Sequence, residues 1–253
     1  MTLEKGIRYK TCLAMGLLIM AAGAGFGLKR MHFPEDGRSM SGVYEVFSEF
    51  TWKKEGEWKV KGGCQIVGEK KKIALTFDDG PHPYYTEQLL DGLKKRKVKA
   101  TFFVTGEHAD LHPEVILRMQ EEGHLIGNHT YSHLQLGKNN QEAFREELVR
   151  TNRIIKEITG EEVAYVRPPY GTWDKNLEKE LDMIPVLWSI DPLDWCSDDI
   201  ACIKEHVLSR AGENEIILMH DAYPATVTAA LEIVDCLLEK GYEFVTVEEI
   251  LME

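Results

Sequence analysis

The feature that most limits what this chain can fold into is a rhythm that begins at Lys72. Short apolar runs of strand length alternate with longer stretches of helical period as far as the C-terminus. The predicted strands are 73–77, 100–104, 124–128, 163–167, 185–190, 215–219 and 243–246. The predicted helices are 86–95, 113–122, 141–159, 177–181, 197–210, 226–240 and 247–251. In 141–159, Phe144, Leu148, Ile154, Ile155 and Ile158 fall along one helical stripe. Strands that alternate with helices pair in parallel through right-handed crossovers. Seven such units predict an α/β fold, a distorted (β/α) barrel of about seven parallel strands. A doubly wound open sheet is the alternative.

Both architectures gather their chemistry at the carboxyl ends of the strands. The unusual polar clusters of this chain lie there. Asp78-Asp79 follows the first strand of the series, His129 the third, Arg167–Gly171 the fourth, Asp191–Trp195 the fifth and His220-Asp221 the sixth. Five clusters at one end of separate strands converge in space.

Each cluster suggests a chemistry. Adjacent carboxylates on an extended chain point to opposite sides, so one of Asp78 and Asp79 can bind a metal while the other handles protons. His129 and His133 are four residues apart, and on a helix both imidazoles would share a face as a divalent-metal clamp. Two histidines with one carboxylate leave room for water on the metal, which marks a catalytic site; no cysteine stands beside these motifs. The same ligand set occurs in non-haem iron oxygenases, but those need no second carboxylate as base. In Arg167-Pro168-Pro169-Tyr170-Gly171, the prolines stiffen a loop able to aim a backbone N–H at an oxyanion, and Arg167 can pair with a carboxylate. His220 ends a strand, as suits a general acid oriented by a carboxylate, and Trp195 offers a flat apolar wall.

The N-terminus reads differently. Residues 11–28 form an uncharged run of 18 residues, preceded by Lys5, Arg8 and Lys10 and followed by Lys29 and Arg30. That is the lower length limit of a membrane-spanning helix. The expectation is a single-pass anchor in the cell membrane with the N-terminal stub in the cytoplasm and the catalytic domain outside it. A signal peptide cleaved near Ala22-Gly23-Ala24 is the alternative, and it would give a secreted protein. The expected organisation is therefore 1–30 stub and anchor, 31–71 a spacer with short strands in 43–67, and 72–253 the catalytic domain.

The formal net charge is −12, which argues against nucleic acid as the main partner, since phosphate binding needs basic patches. Cys12, Cys64, Cys196, Cys202 and Cys236 are odd in number and contain no C-x-x-C. Cys196 and Cys202 are near enough in sequence to pair, but free thiols are the simpler expectation.

Taken together, five motifs resemble the NodB-homology polysaccharide deacetylases, carbohydrate esterase family 4. They are TFDDGP (76–81), HTYSH (129–133), RPPYG (167–171), DPLDW (191–195) and LMH (218–220), in the family's order. The resemblance covers 72–253 and leaves out the anchor and spacer. It implies a distorted barrel and a divalent metal, usually Zn²⁺, with Co²⁺, Ni²⁺ and Mn²⁺ as alternatives. It implies that Asp79, His129 and His133 bind the metal, that Asp78 is the base and that Arg167 orients it. The Tyr170 backbone N–H would meet the oxyanion, and His220, positioned by Asp194, would protonate the departing amine. Trp195 and Leu218 would line the acetyl pocket, with Pro168 and Tyr170 also against the substrate. The implied reaction removes N-acetyl groups from amino sugars of a polysaccharide. Peptidoglycan is the expected substrate, with chitooligosaccharides or O-acetylated xylan as alternatives. A membrane-tethered carbohydrate-binding protein with an inactive site is the remote one.

Overall fold

The computed structural model describes residues 43–52, 58–67 and 70–252. The chain divides into two compact units between Glu69 and Lys70. In the first, β1 (Val43–Trp52) and β2 (Trp58–Val67) pair antiparallel from Val43 opposite Val67 to Trp52 opposite Trp58. The expected anchor at 11–28 lies outside the described residues, as does the proposed cleavage site. Among the described residues no helix is long and apolar enough to cross a membrane.

The second unit alternates strands and helices as expected. Its elements are β3 (Lys72–Asp78), α1 (Tyr85–Arg96), β4 (Thr101–Val104), α2 (Gly106–Leu111), α3 (Pro113–Glu121), β5 (Leu125–Asn128), α4 (Gln141–Thr159), β6 (Tyr165–Val166), α5 (Lys175–Leu181), β7 (Ile184–Pro185), α6 (Ile200–Leu208), β8 (Glu215–His220), α7 (Pro224–Glu239), β9 (Glu243–Val245) and α8 (Val247–Leu251). The seven strands β3 to β9 form one parallel sheet in the order β7-β6-β5-β4-β3-β8, with β9 paired to the start of β3.

The sheet curls because one segment bonds to both of its edges. Val186 N–H donates to Val166 O of β6, while Ser189 and Ile190 N–H donate to Ile216 O of β8, at 2.8, 3.0 and 3.1 Å. Residues 184–190 are thus the seam of a distorted barrel, and only their first two residues are regular strand. The predicted strand 163–167 likewise contracts to two residues, because it pairs over so short a length.

Alternation along β3 sorts its side chains. Ile73, Leu75 and Phe77 pack beneath the helices with Phe102, Val104, Ile217 and Met219. Ala74 faces the lumen, where it packs with Phe103, Tyr165, Val186 and Val247. The period of two then sends Thr76 and Asp78 to the same inner side. Helix α8 closes the bottom: Val247 is fully buried, and its N–H donates to Thr101 Oγ1 at 3.1 Å.

Further differences lie in the helices. The predicted helix 197–210 shortens to α6, whose first turn is capped by Asp199 accepting from Ala201 and Cys202 N–H; residues 194–196, before the predicted start, form a 3₁₀ turn. Helix α2 went unread, because six residues are too few to show a stripe. Cys196, Cys202 and Cys236 are free, and no bridge joins Cys196 to Cys202.

Candidate active site

The strands deliver their polar ends to one cleft. Asp78, the last residue of β3, stands opposite His220 in the β3–β8 register. It is buried and ion-paired with Arg167, whose Nη1 lies 2.8 Å from Asp78 Oδ1. Arg167 is fully buried and its donors are widely used. Nη1 also donates to Thr76 Oγ1 at 2.6 Å, Nε to Val186 O at 3.1 Å and Nη2 to Leu187 O at 3.4 Å, while the guanidinium lies 4.2 Å from the Phe103 ring centroid. A buried cation is costly unless its donors are satisfied, and here seam and strand share that task.

Asp79 lies just past the strand in the left-handed region, φ 72°. The turn survives because Gly80 has no side chain: a Cβ there would sit 2.4 Å from both carboxylate oxygens of the buried Asp221. Asp79 Oδ1 is 3.3 Å from His129 Nε2 and 3.5 Å from His133 Nε2. These three donor atoms all lie within 4.8 Å of one another.

The histidines do not reach this point on a helix. Residues 129–133 form a turn in which Thr130 and His133 have φ 61° and 58°. The helical reading of the i, i+4 spacing is therefore corrected, although both rings still converge, with centroids 4.9 Å apart. The turn is held by residues that the motifs do not include. Asn128 Oδ1 accepts Thr130 N–H at 2.7 Å, and Glu147 Oε2 accepts Tyr131 and Ser132 N–H at 3.1 and 3.0 Å. Glu147 sits mid-helix among other acidic residues, so its sequence context gave no sign of this role.

The donor set fits a divalent metal. His129 Nδ1 meets Arg167 O at 2.6 Å; a carbonyl only accepts, so Nδ1 carries the proton and Nε2 presents its lone pair to the cleft. Asp79 Oδ1 is buried without a hydrogen-bond partner. Lone pairs facing one another in this way repel unless a proton or a metal ion lies between them. Burial would raise the Asp79 pKa, but nearby His129 and the charges of His133 and His220 outweigh it and bring it to about 2. Burial works against charging His129, yet Asp78, Asp79 and the Arg167 carbonyl raise its pKa; burial prevails at His133, whose pKa is lowered.

Across the cleft, His220 Nδ1 lies 2.9 Å from Asp194 Oδ1. Asp194 Oδ2 accepts the His220 N–H at 2.8 Å and Thr226 Oγ1 at 2.9 Å. Burial disfavours the imidazolium, but the Asp194 hydrogen bond and charge, with Asp78 and Asp79 behind, push the His220 pKa up to about 9. A raised pKa favours the protonated ring, the form that can give a proton. Tyr170 sits in a left-handed turn, φ 58°, and its exposed ring packs edge-on against His133 at 5.0 Å. Pro168, two residues earlier, is buried. Trp195 is exposed, and Leu218 is buried in β8 two residues before His220.

A family profile described as polysaccharide deacetylase matches residues 66–186, a span that holds the Asp78, His129 and Arg167 motifs but ends before Asp194 and His220. A peptidoglycan-N-acetylglucosamine deacetylase of Bacillus cereus is 36% identical over 79% of this chain and 74% of its own length. The chain belongs to the polysaccharide deacetylase family, carbohydrate esterase family 4. The peptidoglycan-N-acetylmuramic acid deacetylase PdaC of Bacillus subtilis is 41% identical over 72% of this chain. The match spans only 39% of that longer relative. A solved structure of PdaC superimposes with TM-score 0.70 at 41% identity, over 73% of this chain and 91% of the solved chain. A family pseudoenzyme from Bacillus anthracis also aligns, with TM-score 0.67 and 27% identity over 72% of this chain and 66% of its own. Fold likeness alone therefore does not separate active members from inactive ones.

Proposed function

We propose that this chain is a metal-dependent N-deacetylase of peptidoglycan. The observation that carries the reading is the convergence of Asp79 Oδ1, His129 Nε2 and His133 Nε2 beside the Asp78–Arg167 pair, with the His220–Asp194 pair opposite. The peptidoglycan deacetylases among its relatives, at 36–41% identity, support the substrate.

In this reading Asp79, His129 and His133 hold a divalent ion; Zn²⁺ suits two imidazoles and a carboxylate, and Co²⁺, Ni²⁺ and Mn²⁺ fit the same donors. When bound, such an ion supplies Lewis acidity, lowering the pKa of its water and polarising a carbonyl. Asp78, oriented by Arg167, takes the proton of the attacking water. The Tyr170 N–H faces the oxygen that gains charge. An amine leaves poorly unless protonated, so His220, held by Asp194, gives it a proton. Trp195 and Leu218 border the acetyl methyl, and Pro168 shapes the loop beneath the sugar. For the remaining regions, residues 11–28 are proposed as a single-pass anchor for an extracytoplasmic domain 72–253 behind the spacer 31–71.

Acetate release from purified peptidoglycan, with and without chelator, tests this. Chelator-sensitive release that leaves free amine on the glycan is the expected result. Release from chitooligosaccharides alone would move the substrate, and free hydroxyl in place of amine would make the chain an esterase. A chain that binds metal and glycan but releases nothing would stand with the pseudoenzyme.

A further inference from the structure

Four consecutive residues at the start of α2 bond to both loops that carry the proposed metal ligands. Thr105 N–H donates to Gly80 O at 3.1 Å, and His108 Nδ1 meets Asp79 O at 2.7 Å. Between them, Gly106 N–H donates to Thr130 O at 2.9 Å and Glu107 N–H to Tyr131 O at 3.0 Å. The first two bonds hold the aspartate turn; the other two hold the turn between His129 and His133. Both turns carry left-handed residues, Asp79 and Thr130, which are costly for anything but glycine and persist only when their surroundings over-determine them. Position 106 requires glycine for such close contact, since a Cβ would lie 2.4 Å from Thr151 Oγ1 and 2.6 Å from Tyr131 Cδ2.

Three of the four bonds come from main chain and would survive most substitutions. The fourth comes from a side chain. His108 is exposed, and its Nδ1 must carry the proton because a carbonyl cannot donate. We propose that His108 is a positioning residue for the metal site: through the Asp79 carbonyl it fixes the peptide that aims the Asp79 carboxylate at His129 and His133. The inference rests on the metal reading above. It assigns His108 no contact with substrate or with the ion. Partners that orient a metal ligand typically alter affinity by about 10- to 100-fold when lost.

The test uses the full-length protein in detergent, with Zn²⁺ affinity read by competition with a chromophoric chelator and the site geometry by the d–d spectrum of the Co²⁺ form. His108→Leu removes the donor, and because the side chain is exposed the fold tolerates the change. His108→Asn places an amide N–H the same number of bonds from Cβ as Nδ1. The expected result is weaker Zn²⁺ binding, by about 10- to 100-fold, and an altered Co²⁺ spectrum in His108→Leu. His108→Asn should restore both. Wild-type affinity and spectrum in His108→Leu would overturn the proposal. So would equal losses in both variants accompanied by a lower unfolding temperature of the metal-free protein, which would mark a merely structural contact. His129→Ala is the control: if it binds Zn²⁺ as tightly as wild type, or if wild type binds none, the metal reading fails and takes the role of His108 with it.

Discussion

Two ion pairs flank the end of β3, and they are built to opposite plans. In the Arg167–Asp78 pair the cation is the anchor: it is fully buried, and it bonds to Thr76, Val186 and Leu187 as well as to Asp78. In the Asp194–His220 pair the anion is the anchor, accepting from His220 twice and from Thr226 once. Each anchor spends its bonding capacity on the protein. Each partner keeps an atom for the cleft: Asp78 Oδ2 lies 3.7 Å from His129 Nε2, and the Nδ1 bond to Asp194 leaves His220 Nε2 turned away from it. Opposite charges in the anchors thus produce opposite roles in the partners, a carboxylate to take protons and an imidazolium to give them.

The contrast breaks most severely at Arg167. Arg167→Met leaves Asp78 as an uncompensated buried charge and strands two carbonyls, so unfolding should cost about 3–5 kcal/mol less, read as a fall in denaturation midpoint together with loss of turnover. Asp78→Asn separates chemistry from scaffold. Turnover should drop about 100- to 10,000-fold while metal content is kept and the midpoint falls less than in Arg167→Met; retained turnover would remove Asp78 from the base role.

At the other pair, Asp194→Asn takes away the charge that holds the His220 pKa near 9, so the imidazolium should titrate closer to its ordinary 6.5. The sign is fixed by the raised value: the stabilisation is complete below about pH 6.5 and is lost as pH climbs through about 9. The alkaline limb of the turnover profile should therefore shift to lower pH in the variant, and an unmoved limb would show that His220 is not the titrating acid. Trp195→Ala should be mildest. Its ring is exposed, so KM should rise about ten-fold with an unchanged unfolding midpoint, at the low end of the about 1–3 kcal/mol that one apolar contact is worth.

How much of this could be read in the sequence follows the same physics. The strands were legible because buried parallel strands are short unbroken apolar runs, and α4 was legible to the residue because a helix of 19 residues displays its stripe in full. The motifs that hold Asp78, Asp79, His129, His133, Arg167, Asp194 and His220 could be placed at the carboxyl ends of strands, and the fold brings those residues together. The conformation of 129–133 was not legible: left-handed Thr130 and His133 are held by Asn128 just before the motif, by Glu147 and by the α2 amides, and no spacing in the sequence ties the last two to the histidines. Asp221 was likewise hidden. It lies next to His220 in sequence, but its role as the wall against Gly80, with Thr86 Oγ1 donating to it at 2.6 Å, depends on a partner 135 residues away.

The seam at 184–190 sets where this chain can be cut and rejoined. Arg167 reaches across it to Val186 and Leu187 and back to β3, so the ring and the placement of Asp78 are completed by the same bonds. New termini opened at 187–188 would release the guanidinium from its second support. The exposed turn at 137–139, tied locally by the Asn140 side chain to Gly137 and Gln135, bears on no such bond. A circular permutant begun there would carry its cleft intact, and a library of permutants would find its functional gaps along the seam.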